Sequence, residues 1–136
     1  MCPLFFVPFF LGGITQVVKF VKSGSTVPQA RFITNVTVKD ITNGNIFKGT
    51  VDLKPTLDRI TAGVKYPHAN DGTVFNNFPL KGKITPELPV KPSGYYTEYV
   101  HPTPGISRVG PQRIVTGKNG EMYYTPDHYE SFIQVR

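Results

Sequence analysis

The chain has 136 residues, which is enough for one domain with a single hydrophobic core. It carries 15 Lys and Arg against 9 Asp and Glu, and the resulting charge of +6 favours polyanions such as nucleic acid, or an acidic protein, as partners. The single cysteine, Cys2, excludes an intramolecular disulfide, a CxxC redox pair and a thiolate zinc site within this chain.

Residues 1–13, MCPLFFVPFFLGG, are apolar but are interrupted by Pro3 and Pro8, and no Lys or Arg precedes them. A transmembrane helix needs about 20 apolar residues, and a secretory signal normally begins with a basic leader. We therefore expect no membrane span. The segment is interpreted as a buried or partner-facing stretch, as the cut edge of a longer polypeptide, or as a degenerate export signal.

Residues 14–22 and 31–39 are rich in β-branched and aromatic residues, and alternation from Ile33 to Val38 predicts a half-buried strand. A turn at 43–45, NGN, precedes another extended run, IFKGTV. The period then changes to that of a helix. Asp52 can cap its start, Pro55 suits its first turn and Gly63 can end it. The apolar face of this helix is formed by Leu53, Leu57 and Ile60.

The second half of the chain has the pattern of several short strands. TVFNNF is followed by a long loop rich in proline and glycine, PLKGKITPELPVKPSG. The runs YYTEYV, QRIVTG and EMYYT, the last continuing into HYESFIQV, follow with short connections. One helix ahead of closely spaced strands predicts an α+β domain with an antiparallel sheet.

Three charged or titratable residues occupy positions inside these predicted strands. Glu98 shares a strand face with Tyr96 and Val100, and Arg113 and His128 hold comparable places in the next strands. Antiparallel pairing can bring all three onto one concave face. Two structural alternatives stay open, namely that Glu98 and Arg113 form a cross-strand salt bridge and that His128 is a packed residue among aromatic rings.

A carboxylate, a fixed cation and an imidazole suit the cleavage of RNA by its own 2′-hydroxyl. The carboxylate accepts the hydroxyl proton, the oxygen attacks the phosphorus, and the imidazolium protonates the departing 5′-oxygen. An arginine stabilises the negative charge that develops on the phosphorane oxygens. This chemistry requires no metal.

The motifs DGTVFNN, SGYYTEYVHPTPG, RIVTG and YYTPDHYESFIQVR resemble, in the same order, those of the small microbial ribonucleases, the family of barnase and the guanyl-specific ribonucleases. The resemblance begins at about Leu53 and continues to the C-terminus. It implies an N-terminal helix packed on a small twisted antiparallel sheet. We therefore expect a ribonuclease domain at 51–136, with residues 1–50 as an N-terminal extension or the remnant of a preceding region.

The resemblance also implies roles for individual residues. Glu98 stands where the family has its general base, and His128 where it has its general acid. Arg113 matches the arginine that contacts the scissile phosphate, and Tyr129 matches a tyrosine that also reaches it. No cofactor is expected, and single-stranded RNA is the expected substrate.

Two departures affect substrate binding. Val109 stands where the family has a second arginine, so Arg108, one residue earlier, is expected to reach the phosphate only if its loop is reshaped. Phe78 and Pro79 stand where the family has an arginine and a glutamate that reads the guanine edge. We therefore expect relaxed base discrimination, unless another acceptor such as Glu87 from the long loop replaces the glutamate.

The remaining base-binding positions are preserved. Phe75, Asn76 and Asn77 match the family loop, and backbone groups of the two asparagines can contact a base. The rings of Phe75 and Tyr96 can stack on a base without specifying it.

The matching domain also resembles the C-terminal toxin module of large secreted bacterial proteins. That setting implies secretion or delivery into target cells, and an acidic immunity protein that covers the cleft, as barstar does for barnase. A free-standing secreted ribonuclease is the alternative setting. The alternatives in function are a catalytically inactive RNA-binding module and a structural or inhibitor-binding domain. His68 and His101 lie next to prolines in predicted loops and are interpreted as surface residues or loop pins. A zinc site of His68, His101 and His128 is possible in principle, but no HxxxH or HxH spacing supports it.

Overall fold

The computed structural model describes residues 30–105 and 108–136. The predicted strand at 14–22 and the apolar start lie outside these ranges. Within them, no helix is long and apolar enough to cross a bilayer. The elements in chain order are β1 (Phe32–Lys39), β2 (Ile46–Asp52), α1 (Lys54–Ala62), β3 (Thr73–Phe75), β4 (Tyr96–Val100), β5 (Arg113–Gly117), β6 (Met122–Thr125) and β7 (Ile133–Gln134).

The strands form two separate antiparallel sheets. Strands β3 to β7 make a five-stranded sheet in chain order, and β1 pairs with β2 in a hairpin. The predicted α+β class with an antiparallel sheet is confirmed. The helix does not come first among the described elements, because the β1–β2 hairpin precedes it.

Strand β1 contains a bulge that the predicted alternation did not include. Its pairing shifts between Ile33 and Val36, and Asn35 has a left-handed φ of 56°. One extra residue on this strand turns both Ile33 and Val36 toward the interior, where Val38 is also buried. The bulge therefore explains why buried and exposed residues do not alternate strictly along β1.

Helix α1 lies where the sequence predicted it and ends at Gly63 as expected, but the predicted cap, Asp52, is one residue before the N-cap position. Leu53 is its N-cap residue, and the Asp52 carboxylate accepts a hydrogen bond of 3.0 Å from the Lys54 N–H. Pro55 lies in the first turn, where its missing N–H costs nothing. Gly63 ends the helix in the left-handed conformation, with φ 73°, and its N–H donates to the Ile60 carbonyl.

One face of the five-stranded sheet packs against the helix and the hairpin. Ile114 and Tyr124, both fully buried, belong to this core together with Leu57 of the helix and Val38 of the hairpin. Each fully buried aliphatic side chain contributes roughly 1.5–3 kcal/mol. The hairpin and the helix therefore stabilise the sheet through one common core.

The opposite face carries a smaller, aromatic cluster. Its buried members are Leu88, Tyr96, Val115 and Tyr123. Leu88 comes from the long loop, which the Asn77 amide holds in place by donating to the Leu88 carbonyl at 3.0 Å and accepting from its N–H at 3.2 Å. These contacts give the loop a defined path over this face.

A buried polar network joins the helix to the C-terminal end of β4. The Arg59 guanidinium donates to the Asp71 carboxylate at 2.8 Å and to the Val100 carbonyl at 2.6 Å, while the Val100 N–H donates to Asp71 at 2.9 Å. His101 is buried, not at the surface, and its Nδ1 lies 2.7 Å from Thr56 Oγ1. Burial lowers the pKa of His101 to about 4.

Candidate active site

Strand register places two of the predicted site residues on one face. In the β4–β5 ladder Glu98 pairs with Val115, and Val100 pairs with Arg113. Residues paired across antiparallel strands share a face, so Glu98 and Arg113 lie diagonally on the face that carries the aromatic cluster. The main core occupies the other face.

Glu98 is half-buried and accepts a short hydrogen bond from the Tyr129 hydroxyl. Burial raises the pKa of the Glu98 carboxyl, and the Tyr129 hydrogen bond and the positive charge of Arg113 offset this effect only in part. A carboxylate with a raised pKa is a better proton acceptor when it is ionised, which suits a general base.

Arg113 is only 1% exposed and is held by backbone groups. Its Nη1 donates to the Gly110 carbonyl at 2.7 Å and to the Gln112 carbonyl at 2.8 Å, while its buried Nε has no hydrogen-bond partner in the described protein. Among the described ion pairs none joins Glu98 to Arg113, so the cross-strand salt bridge is not formed. The positive charge of Arg113 is therefore not neutralised by contact with a carboxylate of the described residues.

His128 does not lie in a strand, contrary to the sequence-based expectation. Strand β6 ends at Thr125, and Pro126 has no N–H to continue the ladder. The Asp127 carboxylate then accepts a hydrogen bond of 2.9 Å from the Ser131 N–H, which stabilises a turn. His128 adopts a left-handed φ of 57° in this turn, where much of the residue is exposed and the rest is covered by protein.

The imidazole of His128 is influenced by the groups around it. Partial burial and the positive charge of Arg113 lower the pKa of His128, while Glu130 acts in the opposite direction. The His128 backbone is fixed by a hydrogen bond of 3.0 Å from its N–H to the Pro111 carbonyl. The ring is therefore placed by the turn and not by packing in a sheet.

A cavity of about 290 Å³ brings most of the predicted site residues together. Its aromatic wall is the pair of Phe75 and Tyr129, whose stacked rings lie 4.9 Å apart. The predicted catalytic and binding residues that line it are Glu98, His128, Phe75, Asn76, Asn77 and Tyr129.

Two predicted binding residues lie elsewhere. Tyr96 is buried beneath the site, packs edge-on against Phe75 and donates its hydroxyl to the Pro89 carbonyl at 2.7 Å. Arg108 bonds to Asp40 and Thr42 in the hairpin turn, away from the cavity. Tyr96 thus supports the cavity wall, and Arg108 fastens the hairpin to the loop before β5.

Glu87 lines the same cavity, although the sequence marked it only as an alternative. It forms an ion pair of 2.8 Å with Lys83. Because the long loop folds back over the aromatic face, the Glu87 carboxylate lies in the same cavity lining as Asn76, Asn77 and Phe78. The only signal for this in the sequence was an acidic residue in that loop.

The three histidines do not assemble a metal site. Within residues 30–105 and 108–136 there is no group of three His, Cys, Asp or Glu side chains that could hold a metal ion.

In the described part of the chain, a five-stranded antiparallel sheet with one helix has the fold of a microbial ribonuclease, and solved structures of ribonuclease Sa2 match it at 40% identity. The family model for ribonuclease matches residues 48–136, and the chain belongs to this family. The resemblance expected from the motifs is confirmed. The protein is a ribonuclease.

Several ribonucleases are similar to this chain over about 60% of its length. Guanyl-specific ribonuclease St of Saccharopolyspora erythraea is 44% identical over 85 residues, which cover 60% of this chain and 78% of St. Guanyl-specific ribonuclease Sa3 of Kitasatospora aureofaciens is 46% identical over 81 residues, covering 59% of this chain and 53% of Sa3. The structure of ribonuclease Sa2 in complexes with mononucleotides matches with a TM-score of 0.54 at 40% identity, covering 61% of this chain and 80% of Sa2.

Proposed function

We propose that this ribonuclease is an endonuclease that cleaves single-stranded RNA by internal attack of a 2′-hydroxyl, leaving 2′,3′-cyclic phosphate ends. The observation that carries the proposal is that Glu98 and His128, a proton acceptor and a proton donor, line one cavity with an aromatic wall. The cavity is large enough for a base, and its stacked rings offer a π face to it.

In this reaction the Glu98 carboxylate accepts the proton of the 2′-hydroxyl. The 2′-oxygen forms a bond to phosphorus, the bond from phosphorus to the 5′-oxygen breaks, and the His128 imidazolium donates its proton to that oxygen. Arg113 stabilises the charge on the phosphorane, and Tyr129 orients Glu98 through its hydroxyl and borders the phosphate. The two side chains supply both proton transfers, so the scheme needs no cofactor or metal.

We propose that Glu87 gives the site a preference for guanine. The guanine edge presents N1–H and N2–H donors, which need an acceptor, and two relatives are named guanyl-specific. Glu87 supplies a carboxylate on the wall that also contains Asn76 and Asn77. Mapping of cleavage sites on a mixed-sequence oligonucleotide tests this. Cuts after guanosine that spread to other bases in Glu87→Gln support it, and equal cutting at all bases by the parent contradicts it.

Cleavage of single-stranded RNA in EDTA tests the main proposal. The parent should produce cyclic phosphate ends, and Glu98→Ala and His128→Ala should each lower kcat/KM by roughly 10²-fold or more. Lys118→Ala, which removes an exposed charge in the β5–β6 turn, is the matched control. A folded parent that binds RNA without cleaving it would indicate the RNA-binding module. A variant that cleaves at the parent rate would remove that residue from the mechanism.

For the biological setting we propose a bacterial toxin domain, secreted or delivered into target cells, that is neutralised by an acidic immunity protein. The charge of +6 supports an acidic partner. An inhibitor that imitates the phosphate would contact Arg113, so Arg113→Ala should weaken both the complex and catalysis. The association rate should fall as the salt concentration rises from about 10 mM to 0.5 M. Harmless expression in a host without an inhibitor would contradict the toxin role.

A further inference from the structure

A second cavity, of about 520 Å³, begins where the active site ends. We call it the hairpin groove: Lys39 and Ile41 of the β1–β2 hairpin form one wall, Pro111 of the loop before β5 forms the other, and Arg113 and His128 lie at one end. Its volume is within the range of about 300–1,000 Å³ that ligand sites occupy. The hairpin groove and the 290 Å³ cavity both include His128.

The position of His128 between the two cavities indicates which part of the substrate would lie in the hairpin groove. Glu98 lines the first cavity but not the groove, while Arg113 lines the groove. In the proposed reaction Glu98 contacts the nucleoside that carries the attacking 2′-hydroxyl, and His128 contacts the 5′-oxygen of the nucleoside that leaves. The leaving nucleoside therefore extends from the side of His128 opposite Glu98, which is the side of the groove.

Three basic side chains, Lys39, Arg108 and Arg113, and three carboxylates, Asp40, Asp127 and Glu130, line the groove, and Glu130 is exposed without an ion pair among the described residues. Lys39 is exposed and forms no ion pair with the described residues, so its ammonium group is free to contact a phosphate. The Asp40 carboxylate is neutralised by Arg108. The Asp127 carboxylate accepts hydrogen bonds from the Ser131 N–H and hydroxyl and so faces its own turn.

The hairpin residues that line the groove lie outside the part of the chain that matches the ribonuclease family model. Strand β1 and the turn after it precede residue 48, where the family match begins. The wall is nevertheless built firmly. Val38 is buried in the common core, and the Arg108 bonds to Asp40 and Thr42 join the hairpin turn to the opposite wall.

We propose that the hairpin groove binds the nucleotide on the 3′ side of the scissile phosphate, with Lys39 contacting the RNA backbone and Ile41 packing against the sugar or base. This inference rests on the proposed function of Glu98 and His128. It assigns to the N-terminal hairpin a role in substrate binding in addition to its role in the core.

Two substrates with the same first nucleoside and the same scissile phosphate test the groove. One is a dinucleoside monophosphate, and the other is a nucleoside 3′-(methyl phosphate), which has no second nucleoside to occupy the groove. The base is the one that the parent cleaves fastest. In both substrates the 2′-hydroxyl attacks and the departing oxygen, protonated by His128, leaves as an alcohol, so Glu98→Ala should impair cleavage of both.

Thr37→Trp places a bulky ring on the hairpin wall, at an exposed position of β1. It should lower kcat/KM for the dinucleotide at least about tenfold, because steric exclusion of the second nucleoside removes more than about 1.4 kcal/mol of binding. The kcat/KM for the methyl ester should stay within about twofold of the parent value. Lys39→Ala should lower the dinucleotide value about threefold to fivefold, as expected for an exposed ionic contact, and less at high salt. Lys118→Ala, with the same loss of charge outside both cavities, should change neither substrate.

Equal effects of Thr37→Trp on the two substrates, or no effect on either, would overturn the groove proposal while the mechanism stands. Failure of the folded parent to cleave either substrate in EDTA would instead overturn the proposed function. Circular dichroism and the methyl ester rate show whether each variant remains folded.

Discussion

Strand β4 has two arginine and carboxylate arrangements beside it, and they differ in how the charges are satisfied. At its C-terminal end Arg59 and Asp71 are in direct contact at 2.8 Å and both are buried. In its middle Glu98 bonds to a tyrosine hydroxyl, and Arg113 bonds to backbone carbonyls. Arg59 and Asp71 thus neutralise each other's charge by direct contact. Glu98 and Arg113 each form hydrogen bonds with uncharged groups and lie beside cavities.

This difference separates stability from function. A buried ion pair whose members contact each other and the backbone holds α1 to β4, and its loss leaves an unpaired charge in the core. Charges held only by neutral groups stabilise the fold less, but they can interact with a substrate that brings its own proton and negative charge. Three of the four predictions below test the two arrangements, and one tests the buried His101 next to Val100; the largest expected effect comes first.

Asp71→Asn should destabilise the protein by about 3–5 kcal/mol, because Arg59 then remains buried without its counter-charge. Glu98→Gln should be as stable as the parent or more stable at pH 7, since its raised pKa shows that the fold disfavours the ionised carboxylate. Urea unfolding of the two variants measures both values. The comparison fails if Glu98→Gln costs as much stability as Asp71→Asn.

His101 should make the fold sensitive to acid, because it is buried and its pKa is lowered to about 4. The unfolded chain, with a histidine pKa of about 6.5, then binds more protons than the folded chain between these values. Stability is therefore fully present above about pH 6.5 and falls by about 1.4 kcal/mol per pH unit toward pH 4. Unfolding measured across this range should show a flatter dependence for His101→Gln, while His68→Gln should follow the parent.

The pH profile of kcat/KM should be bell-shaped and narrow. The proposed mechanism requires ionised Glu98 and protonated His128, and the raised pKa of Glu98 and the lowered pKa of His128 bring the two limbs of the profile closer together. Unperturbed values are about 4.3 and 6.5, so the limbs should lie inside that interval in the free enzyme. Rates should fall about tenfold per pH unit beyond each limb. A rate that keeps rising above pH 8 would require a different acid.

Tyr129→Phe removes the hydroxyl that donates to Glu98. Since this hydrogen bond favours the ionised carboxylate, the pKa of Glu98 should rise and the acid limb should move to higher pH. The loss in stability should be about 1 kcal/mol or less. If the acid limb of the kcat/KM profile lies at the same pH in the parent and in Tyr129→Phe, Tyr129 does not influence the pKa of Glu98, and its role would be confined to other contacts such as the phosphate.

Local sequence patterns were enough for several elements. Pro55 and Gly63 delimit α1 as predicted, because their backbone preferences act within the helix itself. Alternation in YYTEYV and QRIVTG gave Glu98 and Arg113 comparable places in their strands, since side chains in a strand point alternately to its two sides, and the register of β4 with β5 then put both on one face. The family motifs, in their order, supplied the ribonuclease class.

Other features required contacts between segments distant in the chain. The aromatic run around His128 had the pattern of a strand, but Pro126 and the Asp127 turn end the ladder there. The residues of β1 alone also do not predict the bulge at Asn35, because a bulge is defined by how β1 pairs with β2.

The sequence by itself determined the α+β class, the helix ends and the catalytic candidates, because these depend on local backbone preference and on residue types at fixed spacing. Only the tertiary structure decided that Glu87 lines the cavity beside Glu98, that Arg108 forms an ion pair with Asp40 and that the hairpin forms a groove beside His128. These relations arise from the path of the long loop and from packing of the hairpin into the common core. Such long-range contacts leave little signal in the spacing of neighbouring residues.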